Sequence, residues 1–214
     1  MPKEKIARYL KITEKNLSIT LIINVFMSLM FLMIIPIFFG INDLERIDSL
    51  KILEQFVSII GIILLTPIFR PEGNKDIREV IESKYTSQTA IYILRILMSV
   101  VTILLLIWCF SAWMEANRSV IIMWDYVMGT FATAMFLGSL GLLVYAISDQ
   151  LILSYLCTGG YLIFNLFTGS RYVGKFYLYS MMRGSMEEKY WLLGASVLML
   201  VITLFVKYII SKLR

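Results

Sequence analysis

Long apolar runs separated by short polar stretches dominate the chain. Each run has roughly the 20 residues that an α-helix needs to cross the hydrocarbon core of a bilayer. The pattern therefore predicts an all-α integral membrane protein with six transmembrane helices. These spans are predicted at about Leu17–Phe39, Ile52–Phe69, Ile91–Met114, Val120–Ile147, Leu151–Thr168 and Tyr190–Ile210.

Composition agrees with this fold class and excludes others. Of 214 residues, 59% are hydrophobic and only 16% are charged, whereas soluble domains have about half apolar and a quarter charged residues. Six spans leave no room for a second water-soluble domain of ordinary size, so we expect one transmembrane domain over residues 1–214. Lys and Arg beside the spans account for the net charge of +5, so we expect no nucleic-acid partner.

The longest charged interruption, Arg70–Thr89, contains the pattern of one short amphipathic helix at residues 74–84. Asn74 is a candidate N-cap for this helix. Its apolar edge has residues at i, i+3 and i+4, namely Ile77, Val80 and Ile81. Charged residues face away from that edge, namely Asp76, Arg78, Glu79 and Glu82. Such a short helix is marginal alone and should dock on another surface.

Two further segments are amphipathic without being able to span. Residues 1–16 have one basic and one apolar edge, which favours an elbow helix lying in the membrane interface. A solvated tail that only sets topology is the alternative. Residues 169–189 are rich in aromatic and apolar side chains, which favours a re-entrant or interfacial piece outside the cell. An ordinary loop with an aromatic belt is the alternative.

The distribution of basic residues indicates the orientation of the spans. With the N-terminus inside, 13 of the 20 Lys and Arg residues lie in cytoplasmic segments or span ends, leaving seven outside. Cytoplasmic loops are enriched in Lys and Arg. We therefore expect both termini in the cytoplasm, as an even number of spans requires.

Candidate catalytic chemistry is sparse. There is no His, and the two cysteines lie inside apolar runs. The chain has no phosphate-binding Gly-rich loop with Lys and no recognisable hydrolase motif. We therefore expect no metal, no cofactor and no catalytic residues in this chain.

Polar and small residues inside the spans offer other roles. Asn24 and Asn165 sit within apolar runs, where interhelical hydrogen bonding and substrate contact are both open. Glu54, Gln55 and Arg95 lie near span ends and are expected to reach the interface. The fourth span is rich in small residues, including Ala134-x-x-x-Gly138, a pattern typical of close helix packing within the chain or at a dimer seam.

The whole pattern resembles the permease subunit of an ABC transporter of the ABC-2 (type V) class, as found in Gram-positive bacteria. The likeness is architectural over all 214 residues, and three stretches add to it. Thr66–Lys84 resembles the coupling helix between spans two and three. Gly129–Leu143 resembles the small-residue fourth span. Asn165 with Gly174–Tyr179 resembles the end of span five and the external re-entrant helices.

The resemblance implies partners. The chain would pair with a second copy or a sister permease in the bacterial plasma membrane, in contact with membrane lipid. Each permease would dock on a cytoplasmic ABC ATPase subunit that holds ATP and Mg. Ile77, Val80 and Ile81 would enter the ATPase groove, and Glu79 and Glu82 would lie at its rim. Asn74 would lie at the start of the docked helix.

The resemblance also implies a substrate path and a class of cargo. Spans two and five line the central seam in the family, which would place Phe56, Tyr155, Thr158 and Tyr161 along the path. Asn24 and Asn165 are added as polar candidates. With no large external domain predicted, an apolar or amphipathic cargo fits best, such as an antimicrobial or toxin peptide, a lipid or a hydrophobic drug. A membrane scaffold or immunity protein is one alternative, and an intramembrane enzyme is another.

Overall fold

A computed structural model describes the backbone of residues 2–73 and 88–213 and the side chains of residues 21–69, 91–169 and 172–210. The described part is helical and contains no β-strand. Six helical stretches are long and apolar enough to cross a membrane, which confirms the predicted all-α class and fits a multi-pass membrane protein. They are α1 (Pro2–Phe39), α2 (Arg46–Phe69), α3 (Gln88–Ala116), α4 (Met123–Ser148), α5 (Leu151–Thr168) and α6 (Glu187–Leu213).

The first helix is continuous across the predicted boundary between the elbow and the first span. α1 runs without a break from Pro2 to Phe39, with Pro36 near its end. The placement of residues 1–16 in the interface stays a prediction. The predicted coupling helix at residues 74–84 lies outside the described residues.

The second helix begins earlier than predicted, at Arg46, and it is irregular. A π-helical turn occupies Ile52–Phe56 and a 3₁₀ turn occupies Val57–Ile59. The Ser58 hydroxyl donates a hydrogen bond of 2.6 Å to the Glu54 carbonyl oxygen. Such side-chain bonds to the preceding turn compete with regular helical bonds. α2 is therefore locally distorted at the level of Glu54.

The core of the bundle is formed by α2 and α4. Their most apolar windows are 78% and 72% buried, whereas the corresponding figure for α1, α5 and α6 is 17%. α4 packs against α2, α3, α5 and α6. The peripheral helices consequently direct most of their apolar side chains outward, as expected of surfaces that face lipid.

Small residues allow α2 and α4 to approach each other closely. A Cβ added to Gly61 would lie 2.0 Å from the Ala134 carbonyl oxygen, and one added to Gly138 would lie 2.5 Å from the Gly61 carbonyl oxygen. The Ala134-x-x-x-Gly138 pattern is thus used inside the chain, where small residues bring two backbones into contact.

The connecting segment (residues 169–186) joins α5 to α6 and folds back on the bundle. It contains short helical turns at Ser170–Val173, Gly174–Phe176 and Met181–Arg183. Residues 178–181 are consecutive and all buried. This segment was predicted as residues 169–189, and its last three residues form the first turn of α6 instead. Its depth in the membrane stays a prediction.

Replacing Gly61 by Ala tests the close contact of α2 and α4. The added methyl group cannot fit beside the Ala134 carbonyl, so we expect the two helices to separate at a cost of about 1–3 kcal/mol, as for other overpacked cores. The thermal unfolding midpoint in detergent should fall. Gly160→Ala is the matched control, because a Cβ at Gly160 meets open space. Equal midpoints for Gly61→Ala and the unsubstituted chain would contradict the packing.

Candidate functional site

A buried ion pair joins α2 to the start of α6. The Lys189 Nζ lies 2.6 Å from the Glu54 Oε1, and the two side chains are 4% and 0% exposed. Glu54 lies in the π-helical turn of α2. Such turns are rare and are often found at functional sites. Glu54 was predicted to reach the membrane interface from near a span end. The structure shows that its side chain is enclosed by protein.

The connecting segment supplies the remaining partners of the pair. The backbone amides of Met181 and Met182 donate to the Glu54 carboxylate at 3.2 and 3.4 Å. Lys189 donates to the Thr133 hydroxyl of α4 at 2.7 Å and to the Leu178 carbonyl oxygen. Both charges are thus hydrogen-bonded as well as paired, the condition under which buried charges are tolerated. The site ties α2, α4, α6 and the connecting segment together.

Tyr179 lies beside this ion pair with its side chain directed into the protein. Its hydroxyl has no hydrogen-bond partner among the described residues. Burial, followed by the neighbouring Tyr177 and the Glu54 carboxylate, raises the pKa of Tyr179 above its ordinary value. The phenol therefore stays protonated at neutral pH and carries no charge into the site.

Two of the residues predicted to contact substrate fix the connecting segment to α5. The Leu178 amide donates to the Asn165 Oδ1 at 3.1 Å, and the Asn165 Nδ2 donates to the Tyr161 carbonyl oxygen at 3.1 Å. The Tyr161 hydroxyl donates to the Phe176 carbonyl oxygen at 2.9 Å. Asn165 therefore binds the backbone of its own helix and of the connecting segment, and its predicted contact with substrate stays a prediction.

The other four predicted path residues are distributed over α1, α2 and α5. Asn24 is half-buried on α1, and Tyr155 is partly exposed on α5. The Phe56 ring packs on Phe39 of α1, with centroids 4.3 Å apart. The Thr158 hydroxyl donates within its own helix, to the Ser154 carbonyl oxygen at 2.9 Å. Their role along a seam between two chains stays a prediction.

A second feature is an open groove of about 850 Å³, which we call the α5–α6 groove. Phe136 of α4, Tyr161 of α5, and Val173 and Phe176 of the connecting segment contribute to its lining. The wall supplied by α6 consists of Tyr190, Trp191, Gly194, Ala195, Leu198 and Met199. The groove has the volume of a small-molecule pocket, and its lining is almost wholly apolar.

A second ion pair lies near the other end of the bundle. The Lys207 Nζ of α6 lies 2.9 Å from the Asp149 Oδ1, in the short turn predicted between the fourth and fifth spans. Asp149 has a left-handed backbone (φ 51°) and caps α4. Lys207 also lies over the ring of Phe69, 5.1 Å from its centroid. This end adjoins the segment that was predicted to hold the coupling helix.

Aromatic packing anchors both flanks of that predicted segment. The Phe69 ring at the end of α2 packs edge-on to the Tyr92 ring of α3, with centroids 5.0 Å apart. Arg95, which was expected at the interface, is 6% exposed and donates to the Ile68 carbonyl oxygen at 3.4 Å. The predicted coupling residues lie outside the described residues, namely Asn74, Ile77, Glu79, Val80, Ile81 and Glu82.

The described side chains give no metal-binding cluster of His, Cys, Asp or Glu.

The Glu54–Lys189 pair is enclosed and occupied by backbone and side-chain partners, so it is suited to holding helices together.

Replacing one partner of the buried pair should destabilise the protein strongly. Lys189→Met leaves the Glu54 carboxylate buried with only two backbone amides, and losses of about 3–5 kcal/mol are typical of such substitutions. Glu54→Met should behave likewise, and the Glu54→Met/Lys189→Met double variant should recover part of the loss. The thermal unfolding midpoint in detergent measures the change in stability of each variant.

The exposed pair of Lys51 with Asp48, 2.9 Å apart, provides the matched control. Lys51→Met should cost less than about 1 kcal/mol, because exposed ion pairs contribute little. If the double variant at positions 54 and 189 loses as much stability as the two single variants together, the buried residues are not coupled as a pair.

Comparison of the chain with protein-family models, with curated proteins and with solved structures finds no match.

Proposed function

We propose that this chain is the membrane-spanning subunit of an ATP-driven exporter of the ABC-2 class. In this proposal a separate cytoplasmic ABC ATPase binds ATP and Mg and docks on the helix predicted at residues 74–84. A second copy or a sister permease completes the path. Both termini lie in the cytoplasm and the helices cross the plasma membrane of a bacterium.

The observation that carries the proposal is the position of α2. At one end, its Phe69 packs against Tyr92 and beneath Lys207, directly before the predicted docking segment. In the first half of the helix, its Glu54 holds the connecting segment through Met181 and Met182. A displacement of the docking segment would therefore be passed along one buried helix to the opposite end of the bundle.

The contact of α2 with α4 supports the same mechanism. Because Gly61 and Gly138 bring the two backbones together, α2 has little room to move independently of α4. Cores packed at this density respond to force as rigid units. Closure of the ATPase subunits would thus move α2 and α4 together, and the connecting segment with them.

The peripheral surfaces support an apolar or amphipathic cargo. α5 and the part of α1 whose side chains are described, residues 21–39, expose many large apolar side chains, among them Phe26, Met30, Leu156 and Phe164. In a paired complex, the exposed face of α5, with the part of α2 that is not buried in the bundle, would line a path that offers apolar contact and few charges. Peptides with one apolar face, lipids and hydrophobic drugs share the chemistry that such walls accept.

Co-purification with the ATPase encoded beside this chain tests the proposal. Introducing charge on the apolar edge of the predicted coupling helix, with Ile77→Asp and Ile81→Asp together, should abolish recovery of the ATPase. An apolar anchor buried in a groove dominates the affinity of a docked helix. Recovery on an affinity column from detergent, relative to the tagged chain, is the measurement.

Arg78→Asp is the matched control, since residue 78 lies on the opposite, polar side of the predicted helix. We expect this variant to retain the ATPase. If the unsubstituted chain recovers no ATPase, or if the double variant recovers it fully, the exporter assignment fails. ATP hydrolysis by the neighbouring ATPase that is indifferent to this chain would favour a scaffold or immunity protein.

A further inference from the structure

The α5–α6 groove is closed at its floor and open at its side. Phe136 forms the floor and is 3% exposed, whereas Trp191 and Leu198 on the α6 wall are 52% and 60% exposed. The α6 wall extends from Tyr190 to Met199, which is about 14 Å along a helix. A flexible apolar chain lying along α6 could fill a groove of this shape.

A cation lies at one mouth of the groove. The Lys175 Nζ is 4.4 Å from the centroid of the Trp191 ring, and Trp191 is part of the groove wall. Lys175 is exposed, and no carboxylate pairs with it among the described residues. Glu187 is exposed one helical turn before Trp191 on α6, so the mouth also carries one acidic group. A ligand anion would therefore meet its favourable contact at Lys175.

We propose that the α5–α6 groove binds one acyl chain of an anionic phospholipid, with the lipid phosphate at the Lys175 ammonium. The apolar walls recognise the chain, and the lysine recognises the charge. Lysine suits this role because its long apolar stem can lie along apolar surface while its ammonium stays at headgroup level. One lysine near an anionic headgroup contributes about 1 kcal/mol of attraction.

The pairing of charge with apolar walls favours a lipid over a second copy of this chain. A protein surface covering the groove would bury the Lys175 ammonium, which requires a carboxylate partner. A phospholipid leaves the ammonium hydrated and supplies the anion as well. This ligand goes beyond the proposed exporter function, and its binding requires no ATPase.

Trp191 provides a direct reporter in the full chain. A variant with Trp108, Trp113 and Trp124 replaced by Phe leaves Trp191 as the single tryptophan. It is placed in phosphatidylcholine nanodiscs that contain increasing amounts of phosphatidylglycerol with brominated acyl chains, which quench fluorescence on contact. A parallel series uses brominated phosphatidylcholine instead. We expect brominated phosphatidylglycerol to reach half-maximal quenching at a mole fraction about fivefold lower than brominated phosphatidylcholine does.

Three further chains test the location. A chain that retains only Trp124, which is exposed and outside the groove, should not distinguish the two lipids. Lys175→Gln in the Trp191 reporter should remove the preference, and we expect this variant to fold because Lys175 is exposed. Gly194→Leu should reduce quenching by both lipids by filling the groove, while Gly160→Leu is its control; an added Cβ meets open space at both glycines.

Equal quenching of Trp191 by both lipids, unchanged in Lys175→Gln, would overturn the proposal and indicate bulk lipid contact only. Quenching by neither lipid, together with a dimer in solution, would overturn it in favour of a second copy. Because no ATPase is present, either result leaves the exporter proposal untouched, and failed co-purification leaves the lipid site untouched.

Discussion

The Glu54–Lys189 ion pair determines how one end of the bundle is built. Removing two charges from water costs several kcal/mol per ion unless each finds further partners. Here those partners come from the backbone of Leu178, Met181 and Met182. The connecting segment cannot leave the bundle without removing these hydrogen-bond partners from the pair, so the pair and the segment hold one another in place.

The same interaction gives α2 its special position among the six helices. The π-helical turn at Ile52–Phe56 changes the helical register at Glu54, whose carboxylate accepts hydrogen bonds from the connecting segment. Beyond this turn, Gly61 fixes α2 against α4. One helix therefore combines a polar attachment in its first half with a tight backbone contact in its second half.

Hydropathy and length were sufficient to predict the six spans, because each long helix in lipid must be apolar over about 20 residues. The small residues of α4 were predicted to pack, and they do. The burial of Glu54 was missed, because its partner Lys189 lies 135 positions away and no local pattern links them. One signal was present: Glu54 and Lys189 are opposite charges, and each lies beside a long apolar run. Asn165 was identified as unusual, but its partner is a backbone amide, which sequence patterns do not reveal.

Two lysines of α6, Lys189 and Lys207, form ion pairs near opposite ends of the bundle. Lys189 and Lys207 are 18 residues apart, about 27 Å along a helix, close to the thickness of the hydrocarbon core. Each pairs with an acid from another element, Glu54 of α2 and Asp149 of the α4–α5 turn. α6 is thus fixed near both ends by charge, although its middle is mostly exposed apolar surface. Any motion of α2 that preserves these pairs must move α6 with it, while a motion that leaves α6 behind must break a buried ion pair. The electrostatics therefore favour movement of α2, α4 and α6 as one unit.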